Sequence, residues 1–161
     1  MEEFLIKKLS FTKRPIPLPA EYRPMYKISM IVIILKYCCR GKTSNLLKLH
    51  LFSWALASEK NMKELRNYVT SNFKTDFSIW GIEPALNRAL QLAVAENICE
   101  IVKGKNYKLT EKGDKFFELI QADHELFDTE KSFLSFIGKR HITENRITTM
   151  TKKWNLFYVE N

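Results

Sequence analysis

Residues 83–121, EPALNRALQLAVAENICEIVKGKNYKLTEKGDKFFELIQ, decide the fold of this chain. The stretch opens on Glu83-Pro84, and proline suits the first position of a helix because the N–H that it lacks is not needed there. Apolar residues then recur three and four positions apart, which predicts one buried helical face made of Leu86, Ala89, Leu90, Ala93 and Val94. Asn97 is predicted to end this helix.

A β-hairpin is predicted directly after the helix. Two short β-prone runs, residues 98–102 and 107–110, flank the glycine-containing turn at residues 103–106. Thr110 then precedes a second helix, and its hydroxyl can accept hydrogen bonds from the first N–H groups of that helix. The order helix, hairpin, helix predicts a mainly α-helical fold with a winged helix-turn-helix core, a hairpin wing and additional N- and C-terminal helices.

The composition favours a folded, basic protein. A chain of 161 residues can bury a sufficient core as one domain, and 45% hydrophobic residues argue against general disorder. The formal net charge is +8, and up to residue 60 there are eleven Lys and Arg against four Asp and Glu. Such an excess indicates an acidic partner, either nucleic acid or an acidic protein surface. The alternative is a solvated basic face without a partner.

The cysteines and the apolar runs bear on compartment and chemistry. Cys38, Cys39 and Cys99 suit buried thiols in a reducing compartment, and their spacing is not that of a zinc site. The start Met1-Glu2-Glu3 is acidic where a signal peptide would be basic, and the apolar run 28–35 is too short to span a membrane. We therefore expect a cytoplasmic protein without membrane association, metal or cofactor.

Three regions are predicted along the chain. Residues 1–24 form an extended, proline-rich basic arm, because residues 11–24 contain four of the five prolines. Residues 25–122 form the winged-helix domain, which begins with a central core helix from Met25 to Cys39. Residues 123–161 form C-terminal helices and a tail.

Further elements follow from local patterns. Thr43 or Ser44 can cap a helix that runs to about Ala57, and a third helix is predicted over Asn61–Val69. The irregular piece Phe73–Trp80 contains a candidate first strand that would pair with the hairpin. After the hairpin region, the sequence predicts a helix over 128–137, capped by Asp128 or Thr129, a helix over 143–154, and a β-prone tail over 156–159.

The basic residues of the hairpin and the arm are candidates for DNA contact. In a winged helix the tip commonly touches phosphates, and such contacts fix position without reading sequence. The helix that opens at Pro84 occupies the place of a recognition helix and offers Asn87, Arg88 and Gln91 outward, although an apolar face there could instead meet a protein. The DNA-contact candidates are Lys13, Arg14, Arg88, Lys103, Lys105, Lys108 and Lys112. The alternative for the hairpin is a solvent-exposed turn that happens to be rich in lysine.

The two ends of the chain are the candidates for binding a protein partner. A proline-fixed arm loses little entropy on docking, and a strand-like tail could add to the sheet edge of a partner. The residues concerned are Ile16, Leu18, Tyr22, Leu156, Phe157 and Tyr158. The alternative is that each end packs on its own core. His50, on an apolar helix face, is interpreted as a structural histidine.

The front part and the hairpin region together resemble a known family. The run RPIPLPAEYRPMYKISMIVIILKYCCRGKTSNLLKLHLFSWAL, with ALNRALQLAVAENICEIVKGKNYKLTEKG further on, is similar to the middle component of bacterial three-component ABC-ATPase systems, including the Lamassu anti-phage and anti-plasmid systems. The resemblance covers roughly residues 14–113. It implies a small winged-helix protein without catalytic residues that accompanies an SMC-like ATPase and an effector, often a nuclease.

These observations predict a non-catalytic adaptor that bridges ATPase heads and the effector, with DNA as a further partner of the complex. The residues alone reach only a basic winged-helix binding module, and the defence role comes from the resemblance. The main alternative is a stand-alone winged-helix transcriptional regulator, which would be a symmetric dimer with a working recognition helix. An enzyme is disfavoured because the sequence has no paired acid and base, metal-ligand cluster or activated nucleophile.

Overall fold

The computed structural model describes residues 23–75 and 83–160, with side chains through residue 152. This part of the chain is mainly helical and contains a small three-stranded antiparallel sheet, as the sequence predicts at this coarse level. In chain order the elements are α1 Pro24–Cys38, a 3-10 turn Arg40–Lys42, β1 Thr43–Ser44, α2 Leu46–Leu56, α3 Glu59–Thr70, α4 Pro84–Ala95, β2 Cys99–Val102, β3 Asn106–Leu109, α5 Glu111–Ala122, α6 Asp128–Ile137 and α7 Glu144–Glu160.

Helix α1 is the centre of the core, which confirms the predicted central helix. Its residues 31–35 are completely buried, and α1 packs against α2, α4, α5 and α6. An apolar helix buried on most sides needs neighbours on every face, because each exposed methylene would forfeit hydrophobic stabilisation. The elements around α1 are thereby held in place by one shared surface.

The predicted order of helix, hairpin and helix from α4 to α5 is present, with boundaries within one or two residues of those predicted. Pro84 lies at the first turn of α4, and Thr110 caps α5 by accepting a hydrogen bond from the Gly113 N–H at 3.1 Å. A Cβ atom on Gly113 would overlap the Ile98 carbonyl oxygen and the Leu109 side chain. The absence of a side chain at this position lets α5 lie directly against the base of the hairpin.

The third strand of the sheet differs from the prediction. The strand order is β1-β3-β2, and Thr43 pairs with Lys108 on the central strand β3. Thr43 and Ser44 are therefore strand residues and not helix caps. Asn45 caps α2, because its side chain accepts a hydrogen bond from the Lys48 N–H at 2.9 Å. In the region predicted as a first strand, residues 73–75 are not strand, and residues 76–80 lie outside the described residues.

Two predictions about the C-terminal part were wrong. Helix α6 has the predicted bounds, but the residue before it, Phe127, is its N-cap in a left-handed conformation with φ 56°, and neither Asp128 nor Thr129 caps it. The tail over 156–159 is not a strand, because α7 continues through it to Glu160. Once a helix has formed, each further residue adds one hydrogen bond at low cost, and this outweighs a weak β preference.

Candidate nucleic-acid interface

The start of α4 is fixed by a group of polar residues that we call the polar seam: Lys27, His50, Ser53, Glu83 and Asn87. The Lys27 ammonium lies 2.7 Å from a Glu83 carboxylate oxygen and donates a hydrogen bond to the Ser53 hydroxyl at 3.0 Å. Ser53 in turn donates to the second Glu83 oxygen at 2.7 Å. Since Lys27 is only 3% exposed, this charge depends on its partners, and the seam joins α1, α2 and α4.

His50 completes the polar seam with both ring nitrogens. Its Nδ1 accepts a hydrogen bond from the backbone N–H of Glu83 at 3.2 Å, so Nε2 carries the proton and donates to the Asn87 side-chain oxygen at 3.1 Å. Burial lowers the pKa of His50 below its ordinary value, although the Asn87 hydrogen bond and the Glu83 charge oppose that shift. The neutral imidazole thus satisfies an N–H at the start of α4, and the interpretation of His50 as structural fits this geometry.

The hydrogen bond to His50 changes the outward surface of α4. Asn87, a candidate for base contact, is half-buried and has its side-chain oxygen occupied by the histidine. Arg88, Gln91 and Leu92 are exposed, and Leu92 keeps 40% of its surface in contact with solvent. The outward face of α4 therefore carries one cation, one amide and an apolar patch.

The hairpin that follows α4 has a tight, basic turn at its tip. Lys103 and Gly104 both have left-handed backbone angles, with φ of 54° and 73°, and the Lys105 N–H donates to the Val102 carbonyl at 3.3 Å. Two consecutive left-handed residues match the twist of the flanking strands, so the turn closes the hairpin without splaying it. Lys103 and Lys105, on this turn, are both exposed to solvent.

The other lysines near the hairpin are less exposed. Lys108 on β3 is half-buried and lies opposite Glu100 of β2 in the ladder, and Lys112 is half-buried in the first turn of α5. Opposite charges directly across a ladder attract each other, which reduces the net potential at Lys108. The exposed cations of the hairpin are therefore Lys103 and Lys105 at its tip, and Arg88 of α4 is a further exposed cation.

Several lysines elsewhere serve internal contacts. Lys36 and Lys42 both bind the Asp114 carboxylate, at 2.9 and 2.6 Å. Burial raises the pKa of Asp114, but the hydrogen bonds and charges of the two lysines prevail and leave it below its ordinary value. Lys131 donates to the carbonyls of Ile120 and Asp123 at the end of α5. In contrast, no ion pair in the described part of the chain involves Lys103, Lys105 or Arg88.

The remaining predicted site residues belong to the two ends of the chain. Lys13, Arg14, Ile16, Leu18 and Tyr22 lie outside the described residues. Residues 156–158, predicted as part of a partner-binding strand, have helical backbone within α7. The structure therefore places Arg88, Lys103 and Lys105 at exposed positions on α4 and on the turn that follows it. The contribution of the arm stays a prediction.

Residues 23–75 and 83–152 were searched for metal-ligand clusters, reactive thiols and membrane-spanning helices. No cluster of three or more His, Cys, Asp or Glu in this part could hold a metal ion. The three cysteines are buried, and burial raises the pKa of Cys99 to about 12 and that of Cys38 further, so both thiols stay protonated and unreactive at neutral pH. Among the described helices, none is long and apolar enough to cross a membrane.

Comparisons of the chain with protein-family models, with curated proteins and with solved structures gave no match.

The sequence reasoning missed the polar seam because its members are distant in the chain. Lys27 and Ser53 are 26 positions apart, and His50 and Asn87 are 37 apart. One signal was available. Lys27 stands in an otherwise apolar helix, and a lysine at such a position requires a buried acceptor. The identity of that acceptor depends on packing and could not be read from spacing.

Proposed function

We propose that this protein is a non-catalytic adaptor of a defence complex, in which it connects an SMC-like ATPase to a nuclease-type effector and contacts DNA. The observation that carries the DNA contact is the exposed basic hairpin tip, whose lysines take part in none of the ion pairs among the described residues. An exposed cationic turn suits phosphate contact, because phosphates are spaced along a regular backbone and are bound by lysine as a point charge.

The order of elements supports assigning the core to the winged-helix class. A helix α1 is followed by the short strand β1, then by helices that include α4, and then by the hairpin β2–β3, which pairs with β1 in the order β1-β3-β2. In this assignment α4 takes the place of the recognition helix and the hairpin is the wing. In this assignment α3 and the connection after it would be an insertion between α2 and α4.

The surface of α4 favours positioning on DNA over reading of its sequence. Direct readout needs several polar side chains that reach base edges together. With Asn87 bound to His50, only Arg88 and Gln91 remain in that role, and exposed Leu92 lies beside them. A protein with this surface would bind DNA through phosphates and would hold its position through protein partners. This is the behaviour expected of an adaptor and not of a stand-alone regulator.

The larger complex is proposed from the resemblance to the middle component of three-component ABC-ATPase systems. In our proposal, DNA sensed by the ATPase rearranges its heads, and this subunit restrains the effector until that rearrangement occurs. The absence of a reactive thiol or metal-ligand cluster among the described residues is compatible with such a mechanical role.

Identification of the neighbouring genes, which we expect to encode an SMC-like ATPase and an effector, followed by co-expression of the three proteins, tests the proposal. We expect a stable ternary complex on size exclusion, and we expect the effector to lose its association with the ATPase when this chain is omitted. The purified chain alone should show no nuclease or ATP hydrolysis. A chain that binds one palindromic DNA site as a symmetric dimer, and that associates with neither protein, would instead identify a transcriptional regulator.

A further inference from the structure

A cleft of 660 Å³ lies between α3 and α6. One wall consists of residues of α3 and the other of residues of α6, and the lining residues are Glu59, Lys60, Met62, Lys63, Arg66, Asp128, Thr129, Ser132 and Phe133. The helices that form it pack on α2 and α1, and the hairpin packs on α5, β1, α4 and also α1. The volume is in the range of pockets that hold a few side chains of a ligand or partner.

The α3 wall is a row of cations without an ion pair among the described residues. Lys60, Lys63 and Arg66 follow one another at three-residue spacing and are all exposed. No ion pair within the described residues involves any of them. A ligand with carboxylates in the cleft would supply the ion-pair partners that these three side chains lack among the described residues.

The floor and one end of the cleft are apolar. Phe133 is buried beneath the cleft beside half-buried Met62, and Phe136, one turn further on α6, remains 46% exposed. The Arg66 guanidinium lies 4.9 Å from the centre of the Phe136 ring and 5.9 Å from that of Phe133. Contact with the two rings orients the guanidinium, and its edge can still donate two parallel hydrogen bonds to a carboxylate.

Charge and shape together indicate the occupant. A partner segment with carboxylates would pair with Lys60, Lys63 and Arg66, while an apolar side chain of the same segment would contact Met62 and Phe133. A nucleic-acid strand fits less well, because Glu59 and Asp128 also line the cleft and would repel a backbone that carries one charge per nucleotide. A peptide can place its few carboxylates away from these two residues.

We propose that the α3–α6 cleft binds an acidic amphipathic segment of a partner protein. This inference rests on the proposed function in one respect. An adaptor needs a protein-binding surface that is separate from the surface that contacts DNA. Arg66 and Lys63 supply the charge recognition, and the Met62–Phe133 floor supplies the apolar contact. The hairpin lysines take no part.

The test uses the full chain and a fluorescent helical peptide that carries leucine and phenylalanine on one face and glutamates beside them. We expect saturable binding, with NMR amide shifts concentrated in residues 59–70 and 128–137. The double variant Lys63→Glu/Arg66→Glu should weaken binding at least about tenfold, as expected for the loss of close charge pairs. The matched control Lys74→Glu/Lys152→Glu makes the same charge change at exposed positions away from the cleft and should bind within about twofold of wild type.

Three outcomes would overturn the inference. The first is no saturable binding to the wild-type chain, or equal weakening by the two double variants. The second is tighter binding of a single-stranded oligonucleotide at the same residues, which would make the cleft a nucleic-acid site. The third is that the protein forms a dimer through the cleft and that the peptide-induced NMR shifts are lost when the dimer dissociates on dilution. The cleft would then be a contact between two copies of this chain. Circular dichroism of both double variants establishes that they are folded. Lys103→Glu/Lys105→Glu should leave peptide binding unchanged, so failure here is distinct from failure of DNA contact.

Discussion

The two ends of α4 employ lysine in opposite ways. At the N-terminal end of α4, the buried α1 residue Lys27 is held by Glu83 and Ser53, and its charge helps to fix the position of the helix. Beyond its last turn, Lys103 and Lys105 stand exposed on a tight turn, without a described ion pair. The net charge of +8 therefore does not measure the charge available to a partner. Location relative to the core decides which lysines stabilise the fold and which can bind.

The largest expected effect is on the buried lysine. Lys27→Met should lower the free energy of unfolding by about 3 kcal/mol, because it leaves the Glu83 carboxylate beside the core without its cation. Lys103→Met makes the same chemical change at the tip and should alter stability by less than about 0.5 kcal/mol. Urea unfolding followed by circular dichroism measures both. Equal losses would remove the distinction between the two regions.

The second prediction separates the base of the hairpin from its tip. Gly113→Ala should cost about 2 kcal/mol, since the new methyl group meets the Ile98 carbonyl and the Leu109 side chain. Gly104→Ala at the tip meets no atom and should cost only about 1 kcal/mol, from the left-handed backbone angle. Thermal unfolding of the two variants provides the comparison. A larger loss of stability for Gly104→Ala would mean that the stability of the hairpin depends more on the backbone conformation of the turn than on packing against α5.

The third prediction concerns pH. Since burial lowers the pKa of His50 below 6.5, the unfolded chain binds a proton that the folded chain does not. The free energy of unfolding should then fall as the pH decreases below about 6.5, with a limiting slope of about 1.4 kcal/mol per pH unit, and His50 should contribute no slope well above that value. His50→Gln should reduce the slope between pH 7 and pH 5.5. Exposed His124→Gln is the control and should retain it.

The smallest effect distinguishes two neighbours on α4. Asn87→Ala should cost about 1 kcal/mol of stability, because it leaves the buried His50 Nε2–H without an acceptor, and it should leave DNA affinity unchanged. Arg88→Ala should leave stability unchanged and weaken DNA binding in fluorescence anisotropy. A change in base preference caused by Asn87→Ala would restore this residue to the DNA-reading surface.

Local patterns were sufficient for the part of the fold with the clearest periodicity. The buried face of α4, the glycine turn and the Thr110 cap each depend on residues a few positions apart, and all three were predicted. Strand β1 was missed because it consists of only two residues, Thr43 and Ser44, which are too few to show an alternating pattern. Their pairing with β3 forms only in the folded chain. The tail was taken for a strand because local β preference does not include the helix that runs into it.

The candidate site shows the same division between local and distant information. Exposure of Lys103 and Lys105 follows from a tight turn, which puts its central residues outside the sheet. The withdrawal of Asn87 from the outward surface depends on His50, which comes from another helix. The cleft between α3 and α6 likewise combines two amphipathic helices, and neither sequence predicts the other as its neighbour.

The salt dependence of DNA binding tests the central claim, that the hairpin tip meets phosphates, most directly. The variant Lys103→Glu/Lys105→Glu/Lys108→Glu should bind duplex DNA more weakly for every sequence tried, and the slope of log affinity against log salt should decrease in magnitude by about one unit for each lost contact. The control Lys74→Glu/Lys139→Glu/Lys152→Glu, with the same charge change at exposed positions elsewhere, should keep the wild-type slope. If the hairpin variant and wild type give the same affinity and the same slope, the hairpin does not contact DNA.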